Sequence, residues 1–293
     1  MLVVTQPAVA SRTDPAAGYR EEVEFLGAAD RVFSCVHRPL EACRAAVLVC
    51  SPVLADFGAN YRREVELGRR LAAAGVAVER FHYRGSGHSD GDRVDLGYRT
   101  MFDDARLALD HLVNVAGDVP VAVIGTRCGA IVAAHLCQAG VLPVGAPVAL
   151  WEPVLAHRDY VREALRARAV YAAKSAGGVV EHEAELAAEG WVDILGIQVG
   201  RSLLEARDTL EPTMGTDPRP VLLVQLDPAA SLRRGYVSLV AAWRAAGFDV
   251  EAAHCPIDET WWFTHDRLTP LADLLDLTSR WLLGRLTPTG DAP

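Results

Sequence analysis

The chain has six cysteines but no C-x-x-C pair and no Cys/His cluster at zinc-ligand spacing. That excludes zinc ribbons, zinc fingers and thioredoxin-type redox motifs as organising devices. Cys35, Cys43, Cys50, Cys128, Cys137 and Cys255 fall largely in apolar runs, where a free thiol behaves as a small hydrophobe. A reduced, cytoplasmic setting is the simplest expectation. Positive charge is scarce: 29 Lys and Arg stand against 38 Asp and Glu, a formal net charge of -9. A general nucleic-acid binder needs a basic face to neutralise phosphates, so that class is set aside. No apolar run is long enough to span a bilayer, and the first residues lack the basic-then-apolar order of a signal peptide. Internal repeats and low-complexity tracts are missing as well, which removes solenoids. The residues call for no metal and no cofactor, and a small-molecule partner is expected.

What is present is an apolar half, 51% of 293 residues. That is enough for one large domain, or for a core with an insertion. Short β-type runs alternate with amphipathic helical stretches, so a mostly parallel sheet flanked by helices is expected. Strands are read at Glu21–Leu26, Arg31–His37, Ala45–Cys50, Val76–Tyr83, Val119–Ile124, Pro147–Trp151, Pro220–Leu226 and Val250–His254. Helices are read at Tyr61–Ala74, Thr100–Val115, Cys128–Ala139, Leu232–Ala246 and Leu268–Leu283. The rhythm breaks from Glu152 to about Glu211, a stretch that reads as helical without a clear strand. Residues 152–215 are therefore expected to form a helical cap, inserted into a core made of 1–151 and 216–293. The first residues and the C-terminal tail read as frayed ends.

The stretch Val121-Ala122-Val123-Ile124-Gly125-Thr126-Arg127-Cys128-Gly129-Ala130 joins an apolar strand to a small-residue helix through Gly-x-x-x-Gly. This is the frame of a nucleophile elbow, which ordinarily reads G-x-S-x-G with serine at the tip. Here the tip is Arg127, which stays protonated and cannot be a nucleophile. A register shifted by one residue would put Cys128 there, but between Thr126 and Ala130 rather than two glycines.

The strand order, the elbow and the late insertion resemble the α/β-hydrolase superfamily over most of the chain. Gly75-Val76-Ala77-Val78-Glu79-Arg80-Phe81-His82-Tyr83-Arg84-Gly85-Ser86-Gly87-His88-Ser89 is similar to its G-x-x-V-x-x-x-D-x-R-G-x-G-x-S segment, with His82 in place of the aspartate. Trp151-Glu152-Pro153-Val154 and Val192-Asp193-Ile194-Leu195-Gly196 resemble pieces of the hydrolase-like proteins associated with exosortase gene clusters, in which the elbow tip also tends to be arginine. The resemblance implies an oxyanion loop at Ser51-Pro52-Val53, a triad acid at Asp227 and a triad histidine at His265.

Candidate catalytic residues are thus Arg127, Cys128, Asp227 and His265, and candidate substrate contacts are Ser51, Val53, Trp261 and Trp262. Arg127 could grip a carboxylate or phosphate with its planar fork, or bridge to an acid of the cap. Cys128 is a nucleophile in a cysteine-hydrolase reading and a buried small thiol in the other. Ser51 can equally be a turn residue, and the tryptophans can equally anchor their loop. Three functions stay open. One is an enzyme acting on an acyl, ester-like or carboxylate-bearing small molecule in a biosynthetic pathway, including lyase, cyclase or isomerase chemistry. Another is a cysteine hydrolase. The third is a non-catalytic accessory or ligand-binding protein on a hydrolase scaffold.

Overall fold

A computed structural model describes residues 10–174, 181–206, 211–227, 229, 231–256 and 271–286. Its strands are β1 (Ala10–Asp14), β2 (Tyr19–Leu26), β3 (Val32–Pro39), β4 (Ala45–Cys50), β5 (Val76–Phe81), β6 (Val121–Thr126), β7 (Val148–Trp151), β8 (Trp191–Ile194), β9 (Ile197–Gly200), β10 (Pro220–Leu226) and β11 (Asp249–Cys255). Its helices are α1 (Ala55–Ala73), α2 (Tyr98–Ala116), α3 (Gly129–Gln138), α4 (His157–Lys174), α5 (His182–Glu189), α6 (Arg201–Leu204), α7 (Arg234–Ala245) and α8 (Leu271–Leu286).

Nine strands form one sheet in the order β1-β2-β3-β5-β4-β6-β7-β10-β11. The first three and the β3–β5 pair run antiparallel, and everything from β5 to β11 is parallel. The expected mostly parallel sheet is what forms. Strand alternation explains its layers. Along β4, Ala45, Val47 and Val49 belong to the core shared with Leu67 and Leu71 of α1 and Leu274, Leu275 and Leu282 of α8. Ala46, Leu48 and Cys50 belong to the core shared with α2, α3 and α7 on the other face. A strand covered on both faces has no solvent side, which is why β4, β5 and β6 are buried at every position.

Three sequence expectations need correction. Ala10–Asp14 is no frayed end: it pairs with β2 from Ala10↔Val23 to Asp14↔Tyr19. Its residues are mostly exposed and polar, so no apolar run marked it. Helix α1 starts at Ala55 rather than Tyr61, because its first turns bury Asp56, Asn60, Arg63 and Glu64 and the apolar period begins only afterwards. The stretch between β7 and β10 is not purely helical. Beside α4, α5 and α6 it holds the antiparallel hairpin β8–β9, turned at Leu195-Gly196, both at positive φ. With strands of only four residues each, the hairpin left too short an alternation to be read.

Candidate functional site

The turn from β6 into α3 sets the centre of the site. Gly125 and Gly129 bracket it because no side chain fits. A Cβ on Gly129 would lie 2.0 Å from the Cys50 carbonyl oxygen, and one on Gly125 would lie 2.6 Å from the Ala130 Cα. Arg127 stands between them at φ 52, in the left-handed region. A non-glycine residue pays roughly 1–3 kcal/mol for that conformation. Backbone bonds hold it there: its N–H donates to the Trp151 carbonyl at 2.9 Å, and its carbonyl accepts from Ala130 at 3.1 Å and Val154 at 3.2 Å. Cys128 has ordinary helical backbone, φ -67 and ψ -22.

The Arg127 side chain is buried, and its fork is divided between two carboxylates. Nε donates to Asp56 Oδ2 at 2.9 Å, and one terminal nitrogen donates to Glu163 Oε2 at 2.7 Å. Asp56 lies in the first turn of α1, and Glu163 is on α4, in the segment between β7 and β10. The two acids differ in exposure: the Asp56 side chain is 11% accessible and that of Glu163 is 50%. Burial raises the Asp56 pKa and Arg127 pulls against it. The guanidinium, despite the cost of its own burial, is held more firmly protonated by Asp56 and Glu163. Tyr160, one turn before Glu163 on α4, lies with its ring centroid 5.8 Å from the guanidinium carbon and donates its hydroxyl to the Val53 carbonyl at 2.7 Å.

A cavity of about 1070 Å³ opens at this point. Leu54, Asp56 and Arg127 of the core line it, with Tyr160, Glu163 and the small residues Ala164 and Ala167 of α4 and with Ile194, Leu195 and Gly196 of the β8–β9 hairpin. It lies beyond the carboxyl ends of the parallel strands, the usual ligand crevice of such sheets.

A second polar cluster sits at the ends of β7, β10 and β11. Asp227 follows β10 and accepts from Gln225 at 2.9 Å through Oδ1 and from Arg233 Nε at 3.0 Å through Oδ2. His254 Nε2 lies 2.7 Å from the Asp227 carbonyl oxygen and 3.4 Å from its carboxylate. Buried Glu152, at φ 45, accepts from the Leu226 N–H at 2.6 Å and pairs with Arg233.

Comparison with known proteins fits this architecture. The family model described as serine aminopeptidase, S33 matches residues 43–184. The chain has the α/β-hydrolase fold. Among solved structures of that fold it is similar to a candidate hydrolase from Agrobacterium vitis S4, at 18% identity and TM-score 0.60, covering 92% of this chain and 99% of that one. The esterase LipW from Mycobacterium marinum is 20% identical at TM-score 0.59, covering 94% of this chain and 84% of that one. Est1E from Butyrivibrio proteoclasticus, with ferulic acid bound, is 14% identical at TM-score 0.59, covering 89% and 98%. A search of the curated proteins finds no match.

Within this fold the residues singled out from sequence are distributed unevenly. Arg127 faces the cavity. The Cys128 thiol is fully buried, and burial pushes its pKa up to about 12. The Ser51 hydroxyl, also buried, donates to Glu64 at 2.6 Å. Val53 is buried and contributes its carbonyl to Tyr160. Asp227 belongs to the second cluster, with His254 as its partner. Trp261, Trp262 and His265 lie outside the described residues. Sequence reading missed Asp56, Tyr160, Glu163 and His254. Tyr160 and Glu163 are three apart on one helix, a spacing that puts both on one face and could have paired them. Nothing local marks Asp56, whose partner is 71 residues away. Among the described residues no group of His, Cys, Asp and Glu could hold a metal ion, and no helix is long and apolar enough to cross a membrane.

Proposed function

We propose that this protein binds a carboxylate-bearing small molecule beneath a cap formed by the inserted segment, without forming an acyl-enzyme. The observation that carries this reading is the divided fork of Arg127. One side is committed to buried Asp56. The other is held by Glu163, a half-exposed cap carboxylate that a ligand carboxylate can replace at little cost. The apolar cavity wall supports an apolar body on that ligand: Val170 and Tyr171 line it while about half or more exposed, at 51% and 65%. The tip arginine offers no nucleophile, and the neighbouring thiol is buried and held protonated.

Octanoate and its methyl ester test the reading. Octanoate is expected to bind, and the uncharged ester to bind far more weakly and to remain unhydrolysed. Glu163→Gln frees the fork and should tighten octanoate binding. Arg127→Gln should weaken it by about 2–5 kcal/mol, and lysine should not restore it fully, since an ammonium lacks the planar fork. Unchanged affinity in Glu163→Gln would refute the exchange of carboxylates.

A second reading gives the protein proton-transfer chemistry. It is favoured by His254 lying beside Asp227 at the ends of adjacent strands, a base and a carboxylate within reach of each other. It predicts turnover of a bound carboxylate ligand that His254→Gln abolishes without changing affinity.

A further inference from the structure

A second cavity, of about 440 Å³, lies between the β1–β3 edge of the sheet and helix α1. It shares no lining residue with the cavity at Arg127. Its wall carries Arg12, Arg62, Arg69 and Arg80 and a single carboxylate, Glu21. In a chain whose net charge is -9, that is a local inversion of sign.

Two of these arginines are already matched. Arg69 grips Glu21 with both ends of its fork, at 2.7 and 3.2 Å, and Arg62 pairs with Glu66 at 2.8 Å. Glu21 is further approached by His37 Nδ1 at 3.2 Å, so its charge is shared between Arg69 and His37. Arg80 and Arg12 are different. Arg80 is 3% exposed, and its Nε is buried with no hydrogen-bond partner. No carboxylate among the described residues comes within 4.0 Å of it; its guanidinium sits 4.4 Å from the Tyr61 ring centroid. The acid of α1 in its field is Glu64, which Arg80 stabilises at longer range; Glu64 Oε2 takes the Ser51 hydroxyl and its Oε1 is buried without a hydrogen-bond partner. Arg12 is exposed on β1 and has no ionic partner among the described residues. Residues 1–9, which precede β1, contain no Asp or Glu to neutralise either one.

The Arg80 guanidinium thus feels Glu64 at longer range but makes no direct ion pair among the described residues, and its buried Nε lacks an acceptor; an anion delivered from solution supplies one. We propose that this cavity is a binding site for a small organic anion, a carboxylate or a phosphate monoester with a compact apolar body. Arg80 holds the anionic oxygens from the floor and Arg12 draws them in from the rim. Val23, Val65 and the Tyr61 ring supply the apolar wall.

Calorimetric titration of the intact chain with benzoate, phenyl phosphate and inorganic phosphate at low salt tests this. At least one of them should bind saturably and weaken as salt rises. Preference for benzoate identifies a carboxylate ligand, and preference for either phosphate a phosphoryl one. Arg80→Met should weaken binding at least about tenfold, the loss of one charge-assisted contact. Arg12→Ala, a change at an exposed position, should weaken it severalfold with an unchanged melting temperature. It decides the matter if Arg80→Met does not fold. Because Arg12 lies outside the Arg127 cavity, its effect separates this site from that one. Absence of saturable binding by all three probes, or binding unchanged in Arg12→Ala, would overturn the proposal.

Discussion

Arg127 is strained in backbone, buried in side chain and matched on two sides, and each property has a measurable consequence. Replacing it by glutamine leaves Asp56 buried and unpaired. The expected loss is about 3–5 kcal/mol of folding stability near neutral pH, read from urea unfolding. Glu163→Gln should cost less than about 1 kcal/mol, because half-exposed Glu163 is screened by water. The Arg127→Gln penalty should also shrink as pH falls. Burial already raises the Asp56 pKa, and a group raised on folding contributes stability that is present below its unfolded value and lost as pH rises. The variant should therefore recover toward wild type in acid, and a pH-independent penalty would mean that Asp56 is not the group left behind. Gly129→Ala tests the turn itself. Its Cβ meets backbone oxygen at 2.0 Å, with no flexible side chain to yield. A loss of well over 2 kcal/mol, or failure to fold, is expected.

At the scale of elements, the segment between β7 and β10 meets the rest of the chain through the first half of α4 and through β9 and α6, where Gly200 and Ser202 pack against Val94 and Gly97. His157 is buried, with Nδ1 3.2 Å from the Tyr98 hydroxyl and Nε2 2.6 Å from the Leu203 carbonyl oxygen. Tyr160 bonds Val53, and Glu163 meets Arg127. Beyond them α4 is largely exposed or half-exposed, with His157 and Tyr160 its only buried residues. Native-state hydrogen exchange should show the second half of α4 and α5 opening more readily than β4 and β6, which are buried throughout. Equal protection would argue that the segment is fixed. Tyr160→Phe leaves the Val53 carbonyl without its donor, and should cost about 1–3 kcal/mol while loosening the early turns of α4.

For the whole molecule, buried titratable groups set how stability responds to acid. Burial, with Arg80 and His88 adding to it, lowers His82 to about 3 from its usual value of 6.5. Burial also lowers His37, against the pull of Glu21. Above pH 6.5 these groups are neutral whether folded or unfolded. As pH falls from there, only the unfolded chain takes up their protons, so stability drops, and for His82 it goes on dropping to about pH 3. His111 has the opposite sign: against the cost of burial, Glu79 and Glu24 raise it, so its contribution is lost as pH rises above 6.5. Glu21, lowered to about 2, acts only below its ordinary value of 4.5. Between about pH 6.5 and 5 the lowered histidines, His37, His82 and half-buried His135, drive stability down, while the carboxylates raised by burial, Asp56, Glu64, Glu79 and Asp104, act in the opposite sense. His82→Gln should reduce the downward slope by about 1.4 kcal/mol per pH unit. An unchanged slope would assign the acid sensitivity elsewhere.

The sequence by itself determined the sheet, the helices that cover it and the turn that carries Arg127. All of these are local patterns: alternation along a strand, a helical period, and glycines where a neighbouring backbone leaves no room for a Cβ. It also marked Asp227 as a strand-end acid. Only the tertiary structure decided what the site is made of. Asp56 and Glu163 reach Arg127 across 71 and 36 residues, and no local pattern encodes a contact at that separation. The start of α1 and the edge strand β1 escaped reading for a related reason: one buries polar groups that pair with distant residues, and the other buries almost nothing. Whether Arg127 faces an open cavity or a filled one, and whether Arg80 has a counter-ion, are questions of which side chains converge. Packing answers them, because hydrogen bonds and ion pairs act over a few ångströms of space whatever the distance along the chain.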